Sequence, residues 1–425
     1  MKKTLVIVLV LVLSLGLISV PSFAEQAELN LKYWHAGVSG AELWIGDYEA
    51  YKAVPEEDEP GELSCLGIHL LNGVFPELEL INKGKLILQF GAGKGLIVSG
   101  SYSLFSTVSL GVSYWGLSRA DEVTKALDNP GAECEDEGDG GIDRWSNRYY
   151  ALTLPWLADG EREYQSKYLE HRSTDDDYWA HNSEGLITGE SSLSMSALDV
   201  SGTKALSGAS WELGLLGGIR RAVFNQDQSI GFVELEEGWD KELPEYDHLY
   251  WATKYVTGFD SALSVNAVGP QVGIEGTFAL GDKLLMKAGA KAGFLFGTSE
   301  TRAKITGRVW HYAPAISDEW LLRDDEGFED EYPLSKDAIR ISTYDLSFDL
   351  AYHITDQLSI EAGYYTSVWN DIPSLVQARF DGILDEPGAT TTLNGGYLTP
   401  IVVWEQAKPR TVTVGGLTVG LNVRF

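Results

Sequence analysis

Segments in which every second side chain is apolar recur along this chain, and beyond residue 24 no stretch approaches the ~20 continuous apolar residues that a spanning helix requires. Leu284, Met286, Ala288, Ala290, Ala292, Phe294 and Phe296 form one such set, with Lys287, Gly289, Lys291 and Gly293 between them. Alternation of this kind places the two sets on opposite faces of a β-strand. A sheet that turns an apolar face outward and a polar face inward can satisfy its backbone in lipid only by closing on itself. The expected fold is therefore all-β, a transmembrane antiparallel up-and-down barrel.

The alternating segments come in pairs joined by tight turns. Val268, Val272, Ile274 and Phe278 precede the 284–296 segment across Gly281-Asp282. Tyr344 to Tyr352 and Leu358 to Val368 flank Thr355-Asp356-Gln357, and Leu96 to Tyr102 and Val108 to Tyr114 flank Phe105-Ser106. A weaker pair joins Leu193–Val200 to Trp211–Ile219. Leu29, Leu31 and Tyr33 at the start and Leu417 to Phe425 at the end bring the total to ten, an even number that leaves both ends on one side. This count predicts four short turns on the periplasmic side and five long outer connections, near 37–84, 118–188, 225–258, 298–336 and 371–408. The second is too long to be structureless. Because Tyr150, Leu152, Leu154 and Trp156 alternate inside it, a barrel of twelve strands is the alternative.

Both ends of the chain fit export. Lys2 and Lys3 precede an apolar run from Leu5 to Val20, with Ser22 and Ala24 after it, so residues 1–24 read as a cleaved signal peptide and 25–425 as a single barrel domain. The last segment ends on an aromatic residue, Phe425, which resembles the C-terminal signal by which bacterial outer-membrane barrels are recognised by their insertion machinery. With 46 glycines, 13 tryptophans, 20 tyrosines and only 14 prolines, the composition suits many short strands with aromatic girdles. Cys65 and Cys134 would share an oxidising compartment, where a disulfide between them closes a long loop worth ~4 kcal/mol; two unpaired loop thiols are the other reading.

The formal net charge is −30, and nearly all of the acidic excess falls in the five expected loops. The strand phase points Lys32, Glu212, Arg220, Glu275, Lys287, Lys291, Asp345, Asp349, Glu361 and Arg424 into the lumen. Such walls suit a water-filled pore for small solutes or ions, although the same charges would fill the bore if they paired across neighbouring strands. Interior glycines at 214, 218, 273, 289, 293, 363 and 420 are expected to widen it. The acidic loops read as solvated surface, as a cation-attracting vestibule, or as weak calcium sites at Glu135, Asp136, Glu137 and Asp139, and at Asp175, Asp176 and Asp177. No other cofactor is expected, and no nucleic-acid partner. The partners expected are outer-membrane lipid and lipopolysaccharide, the insertion machinery and small solutes, with a homo-oligomer left open.

Catalysis is not expected. Neither G-x-S-x-G nor H-E-x-x-H occurs; of the loop couples, the adjacent Asp247-His248 has poor geometry for a general base, since adjacent side chains leave a strand on opposite faces, and Asp177 with His181 reads as ordinary loop residues. Gly269-Pro270-Gln271-Val272-Gly273-Ile274-Glu275, Leu280-Gly281-Asp282, Gly289 and Gly293-Phe294-Leu295-Phe296-Gly297 resemble a strand-turn-strand of the Legionella-type major outer membrane protein family. The closing segment Gly416–Phe425 is similar to that family's last strand. The likeness covers 207–297 and the region from 338 on, and implies a porin-like or surface-exposed barrel without catalytic residues. The function expected is thus a narrow outer-membrane, porin-like channel, or alternatively a non-conducting barrel that displays acidic, aromatic-rich loops for adhesion or envelope structure.

Overall fold

The computed structural model describes residues 27–53, 78–105, 107–126, 132–135, 142–145, 148–153, 162–164, 168–171, 178–240, 249–312, 321–322, 328–383 and 400–425. Ten long strands form a ring: β1 (Ala27–Ser39), β2 (Gly93–Phe105), β3 (Val108–Ala126), β4 (Tyr178–Ser207), β5 (Trp211–Asp240), β6 (Leu249–Ala279), β7 (Leu284–Tyr312), β8 (Phe328–His353), β9 (Leu358–Ile372) and β10 (Arg410–Arg424). Every neighbour is antiparallel. The ring closes where β10 pairs with β1, Leu31 opposite Leu421, and where β3 pairs with β4, Val112 opposite Val200. Two short strands, Tyr168–His171 and Leu321–Leu322, add to the edges of β4 and β7.

The twelve-strand alternative is set aside. Arg148–Thr153 pairs with Leu43–Ala53 in a separate small sheet and never enters the barrel wall. Its alternation is real, but alternation reports a two-faced strand and not which sheet it joins. The short turns are tight and internally bonded: the Gly208 amide donates to the Trp211 carbonyl at 2.8 Å, and that of Ile354 to Leu358 at 2.9 Å. In the last turn the Thr355 hydroxyl accepts the Leu358 amide at 3.0 Å, a local bond that stabilises the reversal.

The long connections are shorter than expected because the strands run on through them. β4, β5, β6 and β7 are 30, 30, 31 and 29 residues long. Stretches assigned to loops at 118–126, 178–188, 225–240, 249–258, 298–312 and 328–336 are barrel wall. The reason is an inversion of phase. In the half nearest the short turns, apolar side chains face out, as with Ile219, Val272, Phe294 and Leu417, which are 60%, 64%, 61% and 66% exposed. From Leu284 to Phe296 this belt stands roughly 30 Å high at ~3.3 Å per residue and a ~40° tilt, enough to cross a bilayer core.

Above the belt the same strands reverse their pattern. Phe224, Leu263, Val265, Leu295, Ile305 and Ile341 point inward and are buried, while Asn225, Asp227, Ser264, Glu300, Arg302 and Lys304 point outward. Polar ladders run along that outer face: the Ser264 hydroxyl donates to Asn225 at 2.7 Å, and the Asn225 amide to Ser194 at 3.3 Å. The lower half is thus a lipid-facing barrel and the upper half has the cross-section of a water-soluble one. Ile274→Arg, at mid-belt, is expected to cost ~2–4 kcal/mol, whereas Ser264→Arg, on the same outer face above the belt, should cost about nothing. Urea unfolding of both variants refolded in vesicles checks the difference.

Candidate functional site

The lumen of the lower half is occupied by a connected set of charges. The Lys32 ammonium lies 2.8 Å from Asp349 and 2.9 Å from Glu361. Lys287 lies 2.7 Å from Glu361 and 3.6 Å from Glu28. Asn30 donates to Glu361 at 2.7 Å and Asn422 at 3.2 Å, so the fully buried carboxylate has four donors. Arg424 approaches Glu28 at 3.9 Å. Five cations, Lys32, Arg220, Lys287, Lys291 and Arg424, face five carboxylates, Glu28, Asp199, Asp345, Asp349 and Glu361, so the charges of this network balance.

Arg220 is the upper keystone. Its Nε and one amino nitrogen grip Asp199 in a fork at 2.7 and 2.8 Å, it donates to Thr343 at 3.1 Å, and it also binds Asp345. Ser367 donates to Asp345 at 2.6 Å and receives the Trp369 indole at 2.8 Å. The polar layer is stitched in this way to an aromatic one, in which Trp34, Trp115, Tyr365 and Trp369 meet edge to face at centroid distances of 5.1–6.3 Å. Such T-shaped contacts use the ring quadrupole and fill volume densely.

Above the aromatics, chain from outside the wall enters the barrel. At Gly40 the backbone takes φ +78°, and a Cβ there would stand 2.0 Å from the Thr411 carbonyl oxygen, so only glycine permits the fold inward. Ala41, Leu43, Leu86, Leu88 and Phe90 then pack against the inward apolar residues of the wall, and Gln226 donates to the Ala41 carbonyl at 3.1 Å. A hairpin of Val376–Ile383 and Pro400–Gln406 covers the same core, with the Trp404 ring 6.4 Å from Phe259 and 5.9 Å from Tyr332.

In the upper half a depression of about 1040 Å³ is lined across β3 to β8 by the buried Ser191, Gln228, Ser261 and Ala303 and by Glu122, Glu190, Asp227, Asp260, Arg302 and Lys304. Lys304 is itself held by Glu329 at 2.6 Å and Glu331 at 3.4 Å. The hydrogen bond it donates to Glu329, ahead of the Glu331 contact, keeps its ammonium above the ordinary lysine range. Both signs of charge meet there.

Of the residues assigned to the lumen from strand phase, Lys32, Arg220, Lys287, Lys291, Asp345, Asp349, Glu361 and Arg424 meet in the network. Glu212 and Glu275 stand exposed at the turn-side mouth, outside it. The interior glycines do not open the bore. A Cβ at Gly420 would lie 2.6 Å from Lys32 Cγ, one at Gly363 2.3 Å from Asp349 Oδ1, and one at Gly273 3.0 Å from Lys291 Cγ: these positions are taken by the side chains that cross them. Asp199 and Glu28 were missed. Both were legible, since Leu198 and Val200 flank the first, and Glu28, Asn30 and Lys32 alternate with Leu29, Leu31 and Tyr33. Cys65, Asp136, Glu137, Asp139, Asp175, Asp176, Asp177, Asp247 and His248 lie outside the described residues, as does the expected signal peptide. Cys134 and Glu135 belong to a small hairpin strand, and His181 lies in β4 opposite Gly238.

Closed strands, an apolar belt and a polar interior define a transmembrane β-barrel. No family model matches the chain, and no curated protein does. Among solved structures it is similar to the outer membrane protease OmpT from Escherichia coli, at 11% identity over 96% of this chain and 99% of that one, with a TM-score of 0.37. The Pseudomonas putida toluene transporter TodX matches at 7% identity over 94% and 90%, TM-score 0.21. The outer membrane channel DcaP of Acinetobacter baumannii matches at 11% identity over 94% and 97%, TM-score 0.14. Likeness at this level assigns no activity.

Removing one partner from a buried ion cluster strands the others. Arg220→Ala, which leaves Asp199 and Asp345 facing each other without their shared cation, is expected to cost ~3–5 kcal/mol. The shift of the heat-induced unfolding midpoint in vesicles measures it.

Proposed function

We propose that this chain is a bacterial outer-membrane barrel whose bore is closed, and that it works as an anchor carrying an acidic upper barrel and its connections at the cell surface, for adhesion or envelope structure. One observation carries the reading: in the lower lumen Lys32, Arg220, Lys287, Lys291 and Arg424 each lie within 4 Å of a carboxylate, beneath an aromatic layer and an apolar core. A conducting ion would have to replace these partners one after another. In this reading the chain performs no catalysis and needs no cofactor, though the acidic stretches at 135–139 and 175–177 retain the chemistry of weak calcium ligands. Lipid, lipopolysaccharide and the insertion machinery are its partners, and self-association is compatible with it.

A second reading, a porin-like channel for small hydrophilic solutes, has one observation in its favour. Lys287 and Lys291 keep 24% and 26% of their side-chain surface open, so the turn-side mouth is wet up to the network. The likeness to the Legionella-type major outer membrane protein family belongs with this reading. Planar-bilayer recording of the refolded chain at two salt concentrations separates the two. We expect insertion without current; discrete steps that scale with bulk salt would overturn the closed-barrel reading and restore the channel.

A further inference from the structure

The upper edge of the belt carries two arginines in one cross-strand row. Arg221 on β5 stands opposite Val268 on β6, Val268 opposite Phe296 on β7, and Phe296 opposite Arg340 on β8. All four point outward and are exposed, Val268 at 52% and Phe296 at 54%. With strands ~4.8 Å apart, the two arginines sit roughly 14 Å from each other across the apolar pair. Phe294, 61% exposed, continues the apolar surface downward into the belt.

The row falls where the outward face changes from apolar to polar, the level of a bilayer's headgroups. Arg221 donates to Asn266 at 3.1 Å, which props its guanidinium across β6. Neither arginine has a carboxylate partner among the described residues, although acidic side chains outnumber basic ones 62 to 32. The contrast lies on the same strand: Lys336, four residues further from the belt, is paired with Glu300 at 2.5 Å. Two unneutralised guanidinium forks above an apolar tread complement a lipid with phosphate on its headgroup and acyl chains below.

We infer that Arg221 and Arg340 form a binding site for the phosphorylated headgroup of an outer-leaflet lipid, with Val268, Phe296 and Phe294 receiving its chains. The inference rests on the membrane-barrel reading above. The test refolds the wild-type chain and an Arg221→Gln/Arg340→Gln pair into phosphatidylcholine vesicles with and without diphosphorylated lipid A, then extracts the protein in mild detergent and measures the lipid A that stays bound. Retention should fall on the order of tenfold in the double variant, and partway in each single variant and in Arg221→Lys/Arg340→Lys, which keeps the charge but loses the fork. Equal retention by wild type and double variant overturns the site. Displacement of the lipid by inorganic phosphate alone would assign the arginines to free anions and overturn it too. Heat-modifiable folding in phosphatidylcholine alone is scored separately: its failure in the wild type sinks the membrane reading, and its retention in the variants shows that lost lipid is lost binding.

Discussion

Everything in this molecule depends on closure of the hydrogen-bond ring. In lipid an unpaired amide or carbonyl costs several kcal/mol, so a sheet can cross only if its first and last strands meet. Here β1 and β10 meet over the register from Glu28–Arg424 to Ser39–Thr413, and β3 meets β4 across a connection that leaves the wall and returns. Closure also creates a narrow cylinder of low dielectric, and a ten-stranded cylinder is only slightly wider than one that side chains fill outright. Charges placed inside must therefore find partners. The neutral network of five cations and five carboxylates is the consequence of putting polar residues on the inner face of a barrel this small.

The reversal of pattern above the belt follows from the change of solvent. A strand leaving the bilayer passes from a medium that rewards outward apolar surface to one that penalises it. Its side-chain period stays at two, so the exchange can only be made by swapping which parity is apolar. β7 does so between Phe296 and Glu300, and β5 between Ile219 and Phe224. The upper half then needs a core of its own, and the inward-folded chain around Leu43 and Leu88 supplies the volume that ten wall strands leave empty. Only a small part of the acidic surplus expected in loops lies in these wall extensions, which hold 12 acidic against 7 basic residues; the rest stays in the connections.

The ten strands were readable because lipid imposes a strict rule on the lower half and tight turns mark four of its junctions. The long strand extensions were hidden by a one-sided criterion: only alternation with apolar residues outward was accepted. Phe224, Gln226, Gln228, Ile230 and Phe232 alternate just as regularly with Asn225, Asp227 and Ser229, in the opposite sense and with glutamines diluting the apolar set. The lumen charges were legible from parity, and Asp199 and Glu28 could have been added by the same test. Which of them pair was not legible. Lys32 and Asp349 are far apart in sequence and meet only through the ordering of β8, β9, β10 and β1.

The glycines show why counting empty positions misjudges a barrel's bore. Lys32, Gly420 and Glu361 lie on one row of β1, β10 and β9, and a side chain at Gly420 would collide with Lys32 on its way to the carboxylate. Gly363 stands in the same relation to Asp349. A lysine reaches across its neighbouring strand only if that strand presents no side chain, and Gly420 and Gly273 leave that room beside Lys32 and Lys291. In an open pore the same glycines would add width. Here Gly420, Gly273 and Gly363 provide the room on the wall's inner surface in which Lys32, Lys291 and Asp349 lie.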